Sequence, residues 1–583
     1  MKNLKSILQA GVRAALRTSF ERSDVEPEIT QSTQVQFGHY QCNNALKLAK
    51  ELKENPREVA QKIIDALSSE TSHLKNLFSK IEIAGPGFIN FTFHPEFLAD
   101  QINHVLLDPH LGIERPKHPK KVVVDFSSPN TAKELHVGHL RSTIIGDCLA
   151  RVFEFLGEEV LRLNHVGDWG TQFGMLIEYM RETVPDVLTG DTDTDLSSLM
   201  HWYKSSKKRF DEDPEFKKRS QLQVIKLQGG DEATLAAWKI ICDISKNSYK
   251  QIYDLLDVKL IERGESFYNP YLSDVVADLE KRGVVTLSDG AKCIYLEGFE
   301  GRDGTPFPLI IQKSDGGYGY DTTDMAALRH RIEEEKAERI IYVTDAGQSL
   351  HFQMIFKAGE KAGYFDPKKV RTDHVPFGVV LAPDGKKFKT RSGETEKLID
   401  LLYEAVKQAK VSLQERLPDL SSKQLDQDAE ILGIDAVKYA DLSCHRIKDY
   451  VFSYERMLKF EGNTATFLLY AYVRIQSIKR KVGKEISSLT KRAFITLQHP
   501  SEVALALHVL QFSEALEMVT EELLPNRLTD YLYSLSEKFH AFFRDCHVEG
   551  SSEEESRLLL CEVTGRTLHK GLELLGLKTL DRM

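Results

Sequence analysis

Two histidines, His136 and His139, stand where a predicted strand gives way to a predicted helix. Imidazoles three positions apart can lie on one side of a helical turn and donate hydrogen bonds to phosphate oxygens as charge builds on them. Gly138, between them, lets a nucleotide approach the backbone closely. A helix N-terminus also attracts phosphate through its free N–H groups and its dipole. Taken alone, an HxxH pattern more often marks partly buried structural histidines, or half of a zinc site.

The residues around this HVGH tetrad predict a βαβ unit. Residues 122–124 and 160–163 have the β-branched or apolar composition of buried strands. Between them, apolar residues recur at three- to four-residue spacing from Leu140 to Leu156, which predicts a helix that Gly157 caps. In such a unit the ligand crevice lies at the strand ends, where the helix begins. The tetrad is therefore expected at a binding crevice.

Size and composition set the broad class of the protein. A chain of 583 residues exceeds one domain, and its hydrophobic and charged fractions of 41% and 28% are typical of a globular protein. The net charge of −10 argues against general affinity for nucleic acid, so any such binding requires local basic patches. The seven cysteines are dispersed and form no CxxC, which argues against disulfides or a zinc knuckle and fits a reducing compartment.

The chain contains no predicted membrane span, because no apolar run approaches the ~18 residues that a span requires. The first twenty residues carry four basic residues and no acid, as organellar transit peptides do. The spacing of Leu4, Leu8 and Val12 fits better the first amphipathic helix of a domain. We therefore expect a cytoplasmic protein.

The segment 127–147, SSPNTAKELHVGHLRSTIIGD, closely resembles the part of arginyl-tRNA synthetases that carries the class I HIGH motif, with Val137 in place of Ile. Residues 167–174, GDWGTQFG, and the closing run 527–583 also resemble that family, and the resemblance extends over essentially the whole chain. It implies ATP-dependent attachment of L-arginine to tRNA(Arg) through an arginyl-adenylate. AMP and pyrophosphate are released, Mg²⁺ lies across the ATP phosphates, and bound tRNA is needed for the first step.

The resemblance implies an α/β fold with three domains. A Rossmann-like, doubly wound parallel-sheet catalytic domain spans residues 113–404, with a connecting insertion at about 177–290. An α+β add-on domain at 1–112 contacts the tRNA, unless it is a plain structural appendage, and an all-helical anticodon-binding domain spans 405–583. From the residues themselves, 81–93 predict two strands around a Gly-Pro-Gly turn, and 185–198, with four Asp, predict a flexible loop. No strand pattern is found after about residue 405.

Residues 378–381 predict a strand that runs into a Pro-Asp-Gly turn and a strongly basic loop. The chain has no GxxxxGK[ST], so this is not a Walker A loop, and a solvated turn is the alternative. KFKTR at 387–391 stands where the family carries its mobile KMSKS loop, where basic charge follows the departing pyrophosphate. The resemblance implies catalytic roles for Lys133, His136, His139, Lys387 and Lys389, and ATP contacts from Pro129, His136, Gly138, His139, Val379 and Lys389.

A site that selects arginine needs carboxylates and a flat or hydroxyl-bearing wall, because a guanidinium is planar, charged and rich in donors. The resemblance gives Asp125 and Asp324 as the carboxylates and Tyr320 as the wall. It also gives Asn130 and Gln348 as partners of the substrate α-amino and carboxylate groups. Asp125 is shorter than the Glu of some relatives, which shortens its reach.

Residues 444–484 combine nine Lys or Arg with interleaved aromatic residues, a composition suited to phosphates and splayed bases of an RNA loop. Many of these aromatic residues must nevertheless form helix core. The resemblance implies tRNA contacts at Arg446, Lys448, Tyr454 and Arg456. We expect a monomer that binds neither DNA nor membranes.

Two other functions fit parts of the pattern. One is an adenylate-forming arginine ligase with a non-tRNA acceptor, which leaves the basic, aromatic C-terminal region and the N-terminal add-on unexplained. The other is a non-catalytic tRNA-binding paralogue. A site without catalysis has no physical reason to retain Asn130, His136, Gly138, His139 and Asp324 together.

Overall fold

The computed structural model describes residues 3–69, 74, 76–190, 192, 194–301, 304–386, 388 and 396–583. Its N-terminal part is a four-stranded antiparallel sheet, in the order β1-β2-β4-β3, covered by helices. Its elements are α1 (Leu4–Phe20), β1 (Ile29–Gln31), β2 (Tyr40–Cys42), α2 (Asn44–Leu52), α3 (Pro56–Leu67), β3 (Phe78–Ala84), β4 (Phe88–Phe93) and α4 (Pro95–Leu107). The predicted hairpin and the predicted first helix are both confirmed, and α1 buries Leu4, Leu8 and Val12.

The middle of the chain builds a five-stranded, all-parallel sheet with a long insertion. The first half and the insertion contain β5 (Lys121–Asp125), α5 (Val137–Phe155), β6 (Glu159–Asn164), α6 (Thr171–Thr183), α7 (Pro185–Thr189), α8 (Leu196–Glu212), α9 (Pro214–Gln228), α10 (Glu232–Leu255), β7 (Ile261–Glu262) and α11 (Leu272–Lys281). There follow β8 (Thr286–Ser288), β9 (Ala291–Glu300), β10 (Pro306–Gln312), α12 (Tyr320–Glu333), β11 (Arg339–Tyr342), α13 (Ser349–Lys361), β12 (Arg371–His374) and β13 (Val380–Leu381). Strands β8, β9 and β10 form a separate antiparallel sheet.

The order of the parallel sheet is β12-β11-β5-β6-β7, so the chain runs outward in opposite directions from the β5–β11 pair. Helices cover both faces, because Val122 and Val124 belong to one apolar core and Val123 belongs to another. This is the predicted doubly wound α/β sheet. Its topological switch point lies at the carboxyl ends of β5 and β11, the place where ligands bind in such folds.

The C-terminal part is helical, and it packs on α5 through α15, α20 and α22. Its elements are α14 (Leu398–Arg416), α15 (Ser422–Leu442), β14 (Tyr450–Val451), α16 (Tyr454–Met457), α17 (Ala465–Val482), α18 (Ile486–Leu489), α19 (Pro500–Leu510), α20 (Phe512–Glu522), α21 (Asn526–Asp545) and α22 (Glu554–Leu574). The expectation of no strand here is wrong, since β14 pairs in parallel with β13. Two residues are too few to produce a periodic signal.

Two further expectations need correction. Residues 185–198 are not a simple loop, because α7 and the start of α8 occupy much of the segment. One apolar stretch, Pro500–Glu522, is long and apolar enough to cross a membrane, with a mean hydropathy of 1.3. It comprises α19 and α20, and 61% of its apolar 18-residue window is buried inside the protein. Packing in the helical core accounts for its composition.

Candidate active site

A cavity of about 680 Å³ opens at the switch point of the parallel sheet. The carboxyl ends of β5 and β11, the first turn of α5 and the starts of α12 and α13 all contribute to its wall. Ser142 of α5 holds the two halves together, because its hydroxyl accepts from the Ser127 N–H at 2.9 Å and donates to the Val343 carbonyl at 2.6 Å. The predicted crevice is therefore present where the sequence placed the HVGH tetrad.

The loop between β5 and α5 is strained. Ser127, Ser128 and Ala132 have φ values of 70°, 47° and 63°, in the left-handed region that side chains disfavour. Tertiary hydrogen bonds hold this conformation, since Ser127 Oγ lies 2.8 Å from the Tyr253 hydroxyl and the Ser128 N–H donates to Asn164 Oδ1 at 2.9 Å. Strain of this kind, fixed by its surroundings, is characteristic of ligand-binding loops.

The two histidines of the tetrad form the N-terminal cap of α5. Nδ1 of His136 accepts from the Gly138 N–H at 3.0 Å, and Nδ1 of His139 accepts from the His136 N–H at 3.1 Å. The ring centroids lie 4.1 Å apart, and both rings line the cavity. Because each Nδ1 is an acceptor, the proton of each neutral ring resides on Nε2. The cap thus fixes the tautomer in which both histidines are Nε2–H donors.

The surroundings also keep these rings uncharged. Burial, reinforced by the neighbouring His136, lowers the pKa of His139 to about 3. Burial and the charge of Lys133 lower the pKa of His136. Near neutral pH the first turn of α5 therefore presents two neutral hydrogen-bond donors beside the positive end of a helix dipole, an arrangement that suits a polyanion.

The other predicted phosphate residues are placed less directly. Pro129 is buried, and its carbonyl accepts from the Gly167 N–H at 2.9 Å, so it shapes the loop beneath the tetrad. Lys133 is exposed, with its ammonium 5.8 Å from the ring of Tyr203. Val379 is 44% exposed and donates its N–H to Asp449 at 2.6 Å, at the entrance to β13. Lys387 and Lys389 lie outside the described residues.

Asp125, one of the two predicted arginine-binding carboxylates, is already paired within the protein. Its Oδ2 accepts from Nη2 of the fully buried Arg331 at 2.6 Å, and its Oδ1 accepts from Ser128 Oγ at 2.9 Å. The carboxylate is buried at the edge of the cavity. An internal guanidinium thus neutralises Asp125, and a direct contact with the substrate guanidinium stays a prediction.

Asp324 sits in the cavity as part of a charged cluster. His351 places Nε2 at 2.6 Å from Asp324 Oδ2 and Nδ1 at 3.3 Å from Asp321 Oδ1. Although burial opposes it, these hydrogen bonds raise the pKa of His351 to about 9. Burial likewise opposes ionisation of Asp324, but the His351 hydrogen bond lowers the pKa of its carboxyl. At neutral pH His351 is therefore an imidazolium that lies between the side chains of Asp321 and Asp324.

The remaining predicted arginine residues surround this cluster. Tyr320 is 66% exposed at the cavity rim, and its ring lies 5.1 Å from that of His351. Asn130 and Gln348 are exposed and line the same cavity. The structure thus brings together Asn130, Tyr320, Asp324 and Gln348 with the histidine pair.

Sequence reasoning missed several ionisable residues of the cavity, namely His165, Glu265, Asp345 and His351. Burial, with the charges of Asp324 and Asp168, raises the pKa of Glu265 to about 8. No local pattern marks Glu265, which begins a short 3₁₀ segment, Glu265–Tyr271. His351 had a usable signal, because it lies three positions after Gln348, a spacing that places two residues on one helical face.

The predicted tRNA residues divide into buried and exposed members. Arg446 is buried, and its guanidinium donates to the carbonyls of Leu523 at 2.8 Å and Pro376 at 2.6 Å, so a tRNA contact from this side chain stays a prediction. Tyr454 is half-buried and donates its hydroxyl proton to the Leu401 carbonyl at 3.1 Å. Lys448 and Arg456 are exposed. The basic pattern alone did not distinguish these environments.

The described part of the chain contains no group of three or more His, Cys, Asp or Glu side chains arranged to hold a metal ion. The seven cysteines are all free. The alternative interpretation of the tetrad as half of a zinc site therefore has no second half among the described residues.

Comparison with known proteins agrees with these features. Residues 3–93 match the family described as "Arginyl tRNA synthetase N terminal domain", 101–454 match "tRNA synthetases class I (R), catalytic domain", and 468–583 match "DALR anticodon binding domain". The chain is 58% identical to the arginine–tRNA ligase of Protochlamydia amoebophila over 588 aligned residues, with 100% of both chains covered. It is 53% identical to that of Chlamydia caviae, covering 100% of this chain and 99% of the relative.

Solved structures show the same relationship. The arginyl-tRNA synthetase of Plasmodium falciparum superposes with a TM-score of 0.87 at 36% identity, and that of Thermus thermophilus with a TM-score of 0.81 at 25% identity. Both comparisons cover 100% of each chain. Sequence and structure together establish that the chain belongs to the arginyl-tRNA synthetase family of class I aminoacyl-tRNA synthetases.

Proposed function

We propose that this chain attaches L-arginine to tRNA(Arg) in two steps within the cavity at the switch point. The observation that carries the proposal is the juxtaposition, in one cavity, of two Nε2–H donors at a helix N-terminus with the acidic cluster around Asp324. The first feature suits the phosphates of ATP, and the second suits a guanidinium. Family membership gives the same substrates independently.

In the first step the ATP phosphates lie over the first turn of α5. An oxygen of the arginine carboxylate attacks the α-phosphorus, the bond from that phosphorus to the bridging oxygen breaks, and pyrophosphate leaves. His136 and His139 donate hydrogen bonds to phosphate oxygens whose charge increases in the transition state. No protein nucleophile is required, so catalysis consists of positioning and charge stabilisation.

Additional positive charge for the phosphates comes from Lys133 and from Lys387 and Lys389 of the basic loop. Pro129, Gly138 and Val379 complete the ATP contacts that we propose. Mg²⁺ enters on the triphosphate of ATP as part of the substrate.

Arginine is selected by charge and shape in the acidic half of the cavity. Asp324 accepts hydrogen bonds from the guanidinium, and Tyr320 forms a wall at the rim. Asn130 and Gln348 hold the α-amino and carboxylate groups, which directs the carboxylate toward the histidine pair. Glu265 adds a second acid, since a bound guanidinium favours its ionised form. Asp125 acts indirectly, through the Arg331 pair that fixes the end of β5.

In the second step the terminal ribose hydroxyl of bound tRNA attacks the acyl carbonyl and expels AMP. We propose that the add-on domain at 1–112 and the helical domain at 405–583 hold the tRNA around the catalytic domain at 113–404. Lys448 and Arg456 contact its phosphates, and Tyr454 supports that surface. The first step requires bound tRNA, and the enzyme acts as a cytoplasmic monomer without affinity for DNA or membranes.

The test is charging of total tRNA with each of the labelled amino acids in the presence of ATP and Mg²⁺. We expect charging with arginine alone, and a large rise in the arginine KM for Asp324→Asn, because the neutral amide removes the charge opposite the guanidinium. Activation of arginine without charging would instead indicate a ligase with another acceptor. Tight tRNA binding without any activation would indicate a non-catalytic paralogue.

A further inference from the structure

Arg141 is a fully buried arginine only two residues after His139 on α5. Its Nε lies 3.2 Å from Oδ1 and 3.1 Å from Oδ2 of Asp441, near the end of α15, and neither side chain of this pair is exposed. An ion pair removed from water in this way gains little net stability, because the cost of desolvation offsets the attraction. The pair is more informative for its geometry than for its stability, because it fixes the phosphate-binding helix α5 to the helical C-terminal part.

The same guanidinium also joins two backbone segments that are distant in sequence. Nη1 donates to the carbonyl of Gly378 at 2.8 Å and to the carbonyl of Lys448 at 3.2 Å. Aromatic rings flank the guanidinium, with its central carbon 5.2 Å from the ring centroid of Tyr450 and 5.9 Å from that of Phe377. Gly378 precedes β13 and the basic loop, whereas Lys448 precedes β14. Arg141 therefore contacts both partners of the β13–β14 pair.

These two segments are tightly bound to each other. The Gly378 N–H donates to the Arg446 carbonyl at 2.8 Å, and the Tyr450 N–H donates to the Val379 carbonyl at 3.2 Å. A Cβ on Gly378 would lie 2.6 Å from Asp449 Oδ1 and 2.7 Å from the Lys448 carbonyl oxygen, so only glycine allows this approach. A displacement of residues 448–452 must therefore move residues 378–381 as well.

Lys448 connects the contact between segments 378–381 and 448–452 to the protein surface. Its backbone carbonyl faces Arg141 in the interior, while the residue itself is exposed and carries one of the charges proposed to contact tRNA. The path from the exposed lysine to the histidine pair consists of one hydrogen bond and the first turns of α5. A displacement of this segment by a ligand bound at its exposed side chains would thus be transmitted to the phosphate site through Arg141.

We propose that Arg141 is a positioning residue that couples tRNA binding at segment 448–456 to ATP binding at the histidine pair. This inference rests on the proposed function, since it takes tRNA and ATP as the two ligands. Arg141 touches neither of them and acts by fixing α5 against β13 and β14. Because coupling between two ligands is reciprocal, tRNA raises the affinity for ATP by the same factor as ATP raises the affinity for tRNA.

Lysine cannot replace arginine in this position. The planar guanidinium donates to the Asp441 carboxylate through Nε and to two backbone carbonyls through Nη1. The ammonium of lysine is a single point charge, so it keeps the ion pair with Asp441 but cannot bond both carbonyls at the same time. Arg141→Lys therefore retains the buried charge balance while loosening the junction. It is the variant that separates coupling from folding.

The experiment measures the Kd of a non-hydrolysable ATP analogue on the full-length chain, with and without saturating tRNA(Arg). For the wild type we expect at least ~5-fold tighter binding with tRNA, the lower end of typical allosteric coupling. For Arg141→Lys we expect the Kd of the ATP analogue to be nearly the same with and without tRNA. Its Kd for tRNA alone should lie within ~3-fold of the wild-type value. The matched control is Arg151→Lys, on the same helix, which pairs with Asp147 at 2.7 Å and should retain the wild-type ratio.

Three results would overturn the inference: an uncoupled wild type, a coupled Arg141→Lys, or equal loss of coupling in Arg151→Lys. If Arg141→Lys unfolds at lower temperature than the assay, the double variant Arg141→Gln/Asp441→Asn takes its place, since it removes both buried charges together with the guanidinium, and the same expectations hold. The proposed function is judged separately. A wild type that charges tRNA with arginine but shows no coupling refutes only the role of Arg141.

Discussion

The first turn of α5 assigns two separable tasks to His139. Its Nδ1 accepts the His136 N–H at 3.1 Å and so caps the helix, while its Nε2–H is the proposed donor to phosphate. Asparagine places an amide oxygen near the position of Nδ1, so His139→Asn keeps the cap and loses the donor. Glutamine extends to the position of Nε2, so His139→Gln keeps a donor and loses the cap. The two variants therefore divide the functions of one ring.

The expected losses of activity follow from the tautomer and the charge of the His139 ring. Removal of one preorganised donor from a transition-state site costs about 2.7–4 kcal/mol, or ~10²–10³ in kcat. Because burial lowers the pKa of His139 to about 3, the lost donor is neutral, and the lower end of that range applies. Loss of a helix cap costs about 1 kcal/mol of stability and has little direct effect on chemistry.

The assay is steady-state arginylation of tRNA together with thermal unfolding. His139→Asn should lose ~10² in kcat and keep the wild-type unfolding midpoint, whereas His139→Gln should unfold at lower temperature and lose less activity. Activity of His139→Asn within ~3-fold of wild type would refute the donor assignment. The assignment of a neutral His139 ring would be refuted if the wild-type rate fell with rising pH at a histidine-like pKa near 6.5 and the rate of His139→Asn did not depend on pH in that range.

Three further outcomes are expected. In Gly138→Ala the new Cβ would lie 2.8 Å from Cε1 of His136, so the ring is displaced and the KM for ATP rises ~10-fold, while the KM for arginine is unchanged. His351 has a pKa raised to about 9 in the folded chain, from 6.5, so its charged form stabilises the fold fully below pH 6.5 and this contribution is lost as the pH rises through 9. Thermal unfolding of His351→Gln should therefore show a larger deficit at about pH 6 than at about pH 10. Replacing Lys448 and Arg456 by Ala should weaken tRNA binding and make it less dependent on salt, by about one unit of slope for each phosphate that is no longer neutralised, as measured by filter binding across salt concentrations.

Strong local periodicity made the centre of the fold predictable. The β-branched run at β5, the apolar face of α5 and the glycine at its end predicted a βαβ unit, and the structure confirms each part. The position of the tetrad at the start of α5 was predictable because the same local pattern marks where the helix begins. These features depend on neighbours in sequence, where the pattern of side chains reports directly on the backbone.

Features that depend on distant partners were not predictable. Asp125 pairs with Arg331 across 206 positions, and no local pattern distinguishes that internal pair from a substrate site. Arg446 lies in a basic, aromatic stretch like its neighbours, yet its guanidinium is buried against two carbonyls. Burial is a property of the assembled fold, so the family resemblance that assigned both residues to ligands did not show their internal partners.

The Asp-rich segment 185–198 illustrates a missed local signal. Asp195 accepts from the Ser198 N–H at 2.8 Å and caps α8, and Pro185 stands in the first turn of α7. Asp before an apolar residue and Pro at a first helical position are both helix-start signals. The number of acids suggested a loop, whereas their positions indicated helix starts.

In the proposed reaction the arginine carboxylate attacks the α-phosphorus of ATP before tRNA receives the amino acid. The most direct test uses arginine labelled with ¹⁸O in both carboxylate oxygens, with tRNA(Arg), ATP and Mg²⁺, followed by mass analysis of the products. We predict one ¹⁸O atom in each AMP released and none in pyrophosphate. AMP without ¹⁸O, or ¹⁸O in pyrophosphate, would show that no arginyl-adenylate forms by this route.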